Sequence, residues 1–124
     1  MIGGISMKRD RYIRVPKDTK AMEDYDYGVQ EPEQMIEWIL NDEEYTILST
    51  LKIFDELNNQ CDIIIDDFEE ETISFDKLDI ANNTINMILN KIQSSQVKDY
   101  ELVTKLQDMI SSAIERKTLI AFDF

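Results

Sequence analysis

The chain has 124 residues, 43% of them hydrophobic, and a formal net charge of −13, with one cysteine and no histidine. That size supports one modest core, the apolar content excludes a disordered chain, and no apolar run approaches the ~20 residues that span a membrane. A lone cysteine forms no internal disulfide and fits a reducing cytoplasm, while the missing histidine removes the commonest general base and zinc ligand.

The charge is unevenly spread. Residues 1–20 carry six basic and two acidic groups, residues 21–79 two and nineteen, and residues 80–124 five of each, a balance of +4, −17 and 0. Such a field in the middle of the chain steers cationic partners and repels nucleic acid and anionic membranes. The plainer account is a solvated acidic surface that keeps the protein soluble. In the first twelve residues the positive charges follow a short apolar part, the wrong order for a signal peptide, and Met7 reads as an alternative start.

In chain order, Arg11–Val15 alternates apolar and polar residues and Pro16 ends it, which predicts a half-exposed strand. Residues 17–31 show neither period and read as a loop. Within it Asp24, Tyr25, Asp26 and Tyr27 interleave acids with aromatics, a mixture suited to an interface because tyrosine offers apolar area with a polar tip. The same tyrosines could equally cover the edge of the core. Glu31-Pro32-Glu33 reads as a helix start, with Met35, Ile36, Ile39 and Leu40 on one face and Trp38 on its flank. Asn41-Asp42 breaks it, and Asp42 caps a second helix carrying Ile47, Leu48, Leu51, Phe54 and Leu57. Asn58-Asn59-Gln60 ends that helix.

The stretch Cys61–Phe75 reads as a hairpin: a buried strand at Ile63–Ile65, an acidic turn over Asp66-Asp67-Phe68-Glu69-Glu70-Glu71, and a return strand at Thr72–Phe75. Asp76 or Asp79 then caps a third helix with Ile80, Thr84, Ile85, Ile88, Leu89 and Ile92 inward. Ser94-Ser95-Gln96 connects it to a fourth helix from Val97, with Tyr100, Val103, Leu106, Met109, Ile110, Ala113 and Ile114 inward. Arg116 and Lys117 lie at its negative end. Leu119–Phe124 is a continuous apolar run, which places a last strand near the sheet centre. The expected architecture is a single α+β domain over residues 1–124, ordered β-α-α-β-β-α-α-β, with a sheet of three or four strands covered by about four helices.

Few chemistries survive this composition. The glycines, at 3, 4 and 28, form no phosphate-cradling loop. Asp62, Asp66, Asp67 and Glu69–Glu71 could hold a divalent cation, as in two-metal hydrolases, but no lysine or arginine lies between Lys52 and Lys77 to hold a phosphate. Calcium-loop spacing is absent. Lys8, Arg9, Arg11 and Arg14 could form a nucleic-acid arm, which the acidic middle opposes. No catalytic, cofactor or metal role is therefore assigned. The candidate partner-binding residues are Asp66, Asp67, Phe68, Glu69, Glu70 and Glu71, with Asp24, Tyr25, Asp26 and Tyr27.

The acidic hairpin Asp66–Glu71 and the closing helix and strand from Ile110 to Phe124 carry a resemblance. In size, acidity and layout the chain resembles bacterial immunity proteins of contact-dependent growth inhibition and related polymorphic toxin systems. The resemblance implies a non-catalytic cytoplasmic protein that binds a cognate, basic, nuclease-like toxin domain and blocks its active site, with turn carboxylates standing in for phosphate. It carries over no individual residue. A structural or adaptor subunit, a phage-type nucleic-acid mimic and a metal-dependent hydrolase stay open as other readings.

Overall fold

The structure, a computed structural model, describes residues 10–124. The Met7 start and the Lys8 and Arg9 part of a basic arm fall outside the described residues. Four strands, β1 (Arg11–Pro16), β2 (Met35–Leu40), β3 (Glu70–Ile73) and β4 (Ile120–Asp123), form one antiparallel sheet in the order β2-β1-β4-β3. The helices are α1 (Thr19–Asp26), α2 (Asp42–Thr50), α3 (Ile53–Cys61), α4 (Leu78–Lys91) and α5 (Val97–Arg116), with single 3-10 turns at Pro32–Gln34 and Phe75–Lys77. The fold is α+β, and its four-stranded sheet agrees with the expectation. The element order differs: β-α-β-α-α-β-α-α-β.

Cross-strand pairing sorts the residues into two faces, since side chains alternate along each strand. Ile13 pairs with Trp38 and Phe122, and Ile73 with Ile120, so these share the inner face. There they pack with Leu48, Ile53, Phe54, Leu57, Leu78, Ile85, Leu106 and Ile110. Each such side chain contributes about 1.5–3 kcal/mol by leaving water. Phe54, Phe122 and Phe124 meet edge to face at centroid separations of 5.1–6.3 Å, and Tyr45 closes the cluster at its rim. The central place of the last strand is as its apolar run requires, between β1 and β3. On the outer face Tyr12, Arg14, Glu37, Asp123 and Glu70 lie side by side, and α1 packs against β1.

The structure corrects five local expectations. Residues 17–31 are not a loop throughout: Asp18 accepts a hydrogen bond from the Ala21 N–H at 2.8 Å and starts α1. That helix ends with Val29 N–H on Asp24 O and Gly28 N–H on Tyr25 O, a Schellman closure that puts Gly28 at φ 72°. Second, Pro32 opens only one 3-10 turn, after which Met35–Leu40 is extended. Its apolar pattern fits either period, and pairing with β1 decides. Third, the helix after Asn41 is two helices, broken where Lys52 takes a left-handed conformation at φ 64°. Its N-cap is Asn41, in a reciprocal capping box with Glu44, rather than Asp42.

Fourth, Ile63–Ile65 is not a strand and there is no hairpin. Helix α3 runs through Cys61 and stops at left-handed Asp62. The Asn58 side chain then brackets Ile65, accepting from its N–H at 2.7 Å and donating to its carbonyl at 3.0 Å. This amide satisfies the groups a partner strand would have satisfied. Fifth, Ile80 and Tyr100 lie on the exposed sides of their helices, and Leu78 and Ala81 fill the core beside Thr84 and Ile85.

Candidate functional site

The acidic segment is a rigidly moored loop leading into β3. The Glu69 N–H donates to the Asp66 carbonyl at 3.3 Å, closing a turn, and Phe68 sits in it at φ 67°. A bulky residue there costs of order 1–3 kcal/mol and persists only where its surroundings hold it. The mooring is Asp67. Its Oδ1 accepts from Arg11 Nε at 3.2 Å, Arg11 Nη2 at 3.1 Å and the Tyr45 hydroxyl at 3.2 Å. The Arg11 guanidinium also lies 3.8 Å from the Tyr45 ring centre. Burial, with Asp67 beside it, pushes the Tyr45 phenol above its ordinary pKa against the pull of Arg11.

Glu71 is likewise structural. It faces inward, and its carboxylate accepts from the Ile64 N–H and from its own strand's Thr72 N–H, both at 2.9 Å. Of the six acidic-loop candidates, Asp66, Phe68, Glu69 and Glu70 are left facing solvent, Phe68 with 82% of its surface exposed.

The neighbouring outer face is a line of charges. Arg14 is held between Glu37 at 2.5 Å and Asp123 at 3.3 Å, with its guanidinium 4.0 Å from the Tyr12 ring centre. Burial works against this cation, but the two carboxylates outweigh it and raise its pKa. Glu70 pairs in register with Asp123. Tyr25, on α1, is half-buried over this line. Burial raises its pKa most, Glu70 and Asp123 add to the rise, and Arg14 opposes it.

Tyr25 and Glu70 thus bring the two candidate stretches within electrostatic reach of each other. Asp24 points elsewhere. It accepts from Lys20 Nζ at 3.1 Å and Gln34 Nε2 at 2.9 Å, and Gln34 and then Lys20 hold its carboxyl below the usual value. Asp26 and Tyr27 are exposed at the end of α1.

No protein-family model, no curated protein and no solved structure matches the chain. Where the loop meets the sheet there is a surface hollow of about 310 Å³ lined by Asp10, Phe68, Glu69, Glu70, Asp123 and Phe124. Asp10 and Asp123 are additions to the candidate set. Asp123 was legible as the one polar position in an otherwise apolar terminal strand, and Asp10 had no sequence signal. Among the described residues no three acidic or cysteine side chains converge to hold a metal ion, and no helix is long and apolar enough to cross a membrane. Cys61 is buried, which raises its thiol pKa against the influence of Lys77.

Proposed function

We propose that the protein is a non-catalytic, cytoplasmic immunity protein that neutralises a cognate basic toxin domain by occupying its cationic active-site cleft. The observation that supports this reading is the hollow at the sheet rim, where four carboxylates and an exposed phenylalanine surround a concave space of about 310 Å³. A lysine or arginine side chain of the partner would place its head among Asp10, Glu69, Glu70 and Asp123 and its stem along the Phe68 ring. The surrounding −17 segment would raise the encounter rate, and the moored turn would hold Phe68 ready without an ordering cost on binding.

The test is association kinetics with a partner captured from the source cell. Asp66→Asn, Glu69→Gln and Glu70→Gln together remove exposed charge and leave Asp67 and Glu71, which hold the loop. The expected result is slower association with little change in stability, and a wild-type rate that falls as salt is added. Phe68→Ala should speed dissociation. Asp99→Asn, Glu101→Gln and Asp108→Asn, on α5 in the charge-neutral third, form the control. A partner that binds the loop variant as fast and as tightly as wild type overturns the proposal.

A further inference from the structure

A second surface, on the opposite edge of the sheet, is built for a different kind of contact. Strand β2 is terminal in the order β2-β1-β4-β3, so its outer side has no neighbouring strand among the described residues. The register shows which backbone groups this leaves open. Residues of β1 and β2 pair one to one from Arg11↔Leu40 to Pro16↔Met35, and the next pair continues it, with the Lys17 N–H donating to Gln34 O at 2.9 Å. In an antiparallel ladder the hydrogen-bonded pairs alternate. Gln34, Ile36, Trp38 and Leu40 therefore turn their backbones toward β1, and Glu37 and Ile39 turn theirs away, while the Met35 N–H donates to the Pro32 carbonyl of the preceding turn. Pro16 agrees with this phase. It lies opposite Met35, its ring nitrogen has no hydrogen to give, and its carbonyl accepts from the Thr118 hydroxyl at 2.8 Å on the other side.

The outward edge is regular and carries one charge, Glu37, which is paired with Arg14. It has no proline, no lysine and no bulge, the devices that usually blunt an edge strand. Ile39 is half exposed beside it. Its charge surroundings select the occupant. Exposed Glu31 and Glu33 stand before the strand and meet no cation among the described residues. Exposed Asp42 and Glu43 stand after it, with Arg11 at 3.8 Å from the first and Lys98 at 3.3 Å from the second. Edge-to-edge pairing of two copies would bring these carboxylates together, at a cost from like charges. An extended strand carrying lysine or arginine would meet them favourably.

We infer that the outer edge of β2 takes up an extended, basic segment of a partner protein as a fifth strand. Main-chain hydrogen bonds from Glu37 and Ile39 supply the pairing, and Glu31, Glu33, Asp42 and Glu43 set the preference for cationic side chains. This inference does not depend on what the partner is, and it concerns the edge farthest from the Phe68 hollow.

The test uses the full chain and a short, end-blocked peptide of alternating lysine and valine, followed by amide hydrogen exchange and titration. Saturating peptide should protect the Glu37 and Ile39 amides. The same peptide N-methylated at every residue keeps its charge but loses the donors of both edges. It should bind about tenfold more weakly, because the main-chain hydrogen bonds to β2 are lost while the charge is kept. Ile39→Pro removes one outward donor while sparing the bonds to β1, and it should weaken the unmodified peptide in the same way. The N-methylated peptide keeps the test intact even if that variant does not fold. Equal binding of both peptides, protection confined to residues 66–71, or Glu37 and Ile39 amides already protected in the free chain would each overturn the inference.

Discussion

The two faces of the sheet are made from the same strands and are stabilised in different ways. The inner face buries Ile13, Val15, Trp38, Ile73, Ile120 and Phe122 against four helices, with close aromatic packing at one end. The outer face is half covered by the short α1 and carries Arg14 between Glu37 and Asp123, with Tyr12 and Tyr25 around them. Apolar burial is worth several kcal/mol per side chain, whereas exposed ion pairs are worth about 0–1 kcal/mol. Stability therefore resides on the inside, and the outside is free to present charge to a partner.

The strongest way to break this comparison is to remove the central strand. Deleting Leu119–Phe124 exposes β1 and β3 to water and should abolish cooperative unfolding in denaturant. A truncated chain with a sharp transition would refute the central role of β4. A milder cut is Phe122→Ala, which leaves a cavity among Phe54 and Phe124 and should cost about 3–5 kcal/mol in chemical denaturation. Next in size is Asp67→Ala at the boundary between the faces. Arg11 and Tyr45 then lose their shared acceptor, and because Asp67 is partly exposed the loss should be about 1 kcal/mol, with faster hydrogen exchange across residues 64–69. Arg14→Met, on the outer face, should cost under about 1 kcal/mol. A loss as large as that of Phe122→Ala would mean that the outer ion pairs carry stability after all.

The smallest effect separates the faces by pH. Tyr25 lies on the outer face and Tyr45 at the inner rim, and burial raises both phenols above their ordinary value in the folded state. The unfolded chain then ionises first, so their contribution to stability is complete below about pH 10 and falls as pH rises beyond it. Tyr25→Phe and Tyr45→Phe should each flatten the decline in unfolding midpoint between about pH 9 and pH 11. Whichever substitution leaves the decline unchanged marks the face that does not take part.

Some of this was determined by the sequence alone. The alternation of Arg11–Val15, the long stripes of Leu78–Lys91 and Val97–Arg116, and the apolar run at the end each match one structural period only. Local pattern and element type agree there, and no neighbour is needed to decide, although Ile80 and Tyr100 end up on the exposed sides. The concentration of acids in residues 21–79 is likewise independent of fold. Tertiary structure decided the rest. Met35–Leu40 fits a helix or a strand, and only a free edge of β1 made it a strand. Ile63–Ile65 has every strand propensity, yet the Asn58 amide satisfies Ile65's backbone groups before any strand could, and Asp62 turns the chain into the left-handed region. Thr19–Asp26 is too short to show a period, and its caps at Asp18 and Gly28 were the available signal. Among the loop carboxylates, identical charges acquired different tasks. Asp67 and Glu71 turned inward to donors on β1, α2 and the Ile64 backbone, while Asp66, Glu69 and Glu70 stayed in water, because only contacts distant in sequence distinguish one acid from its neighbour.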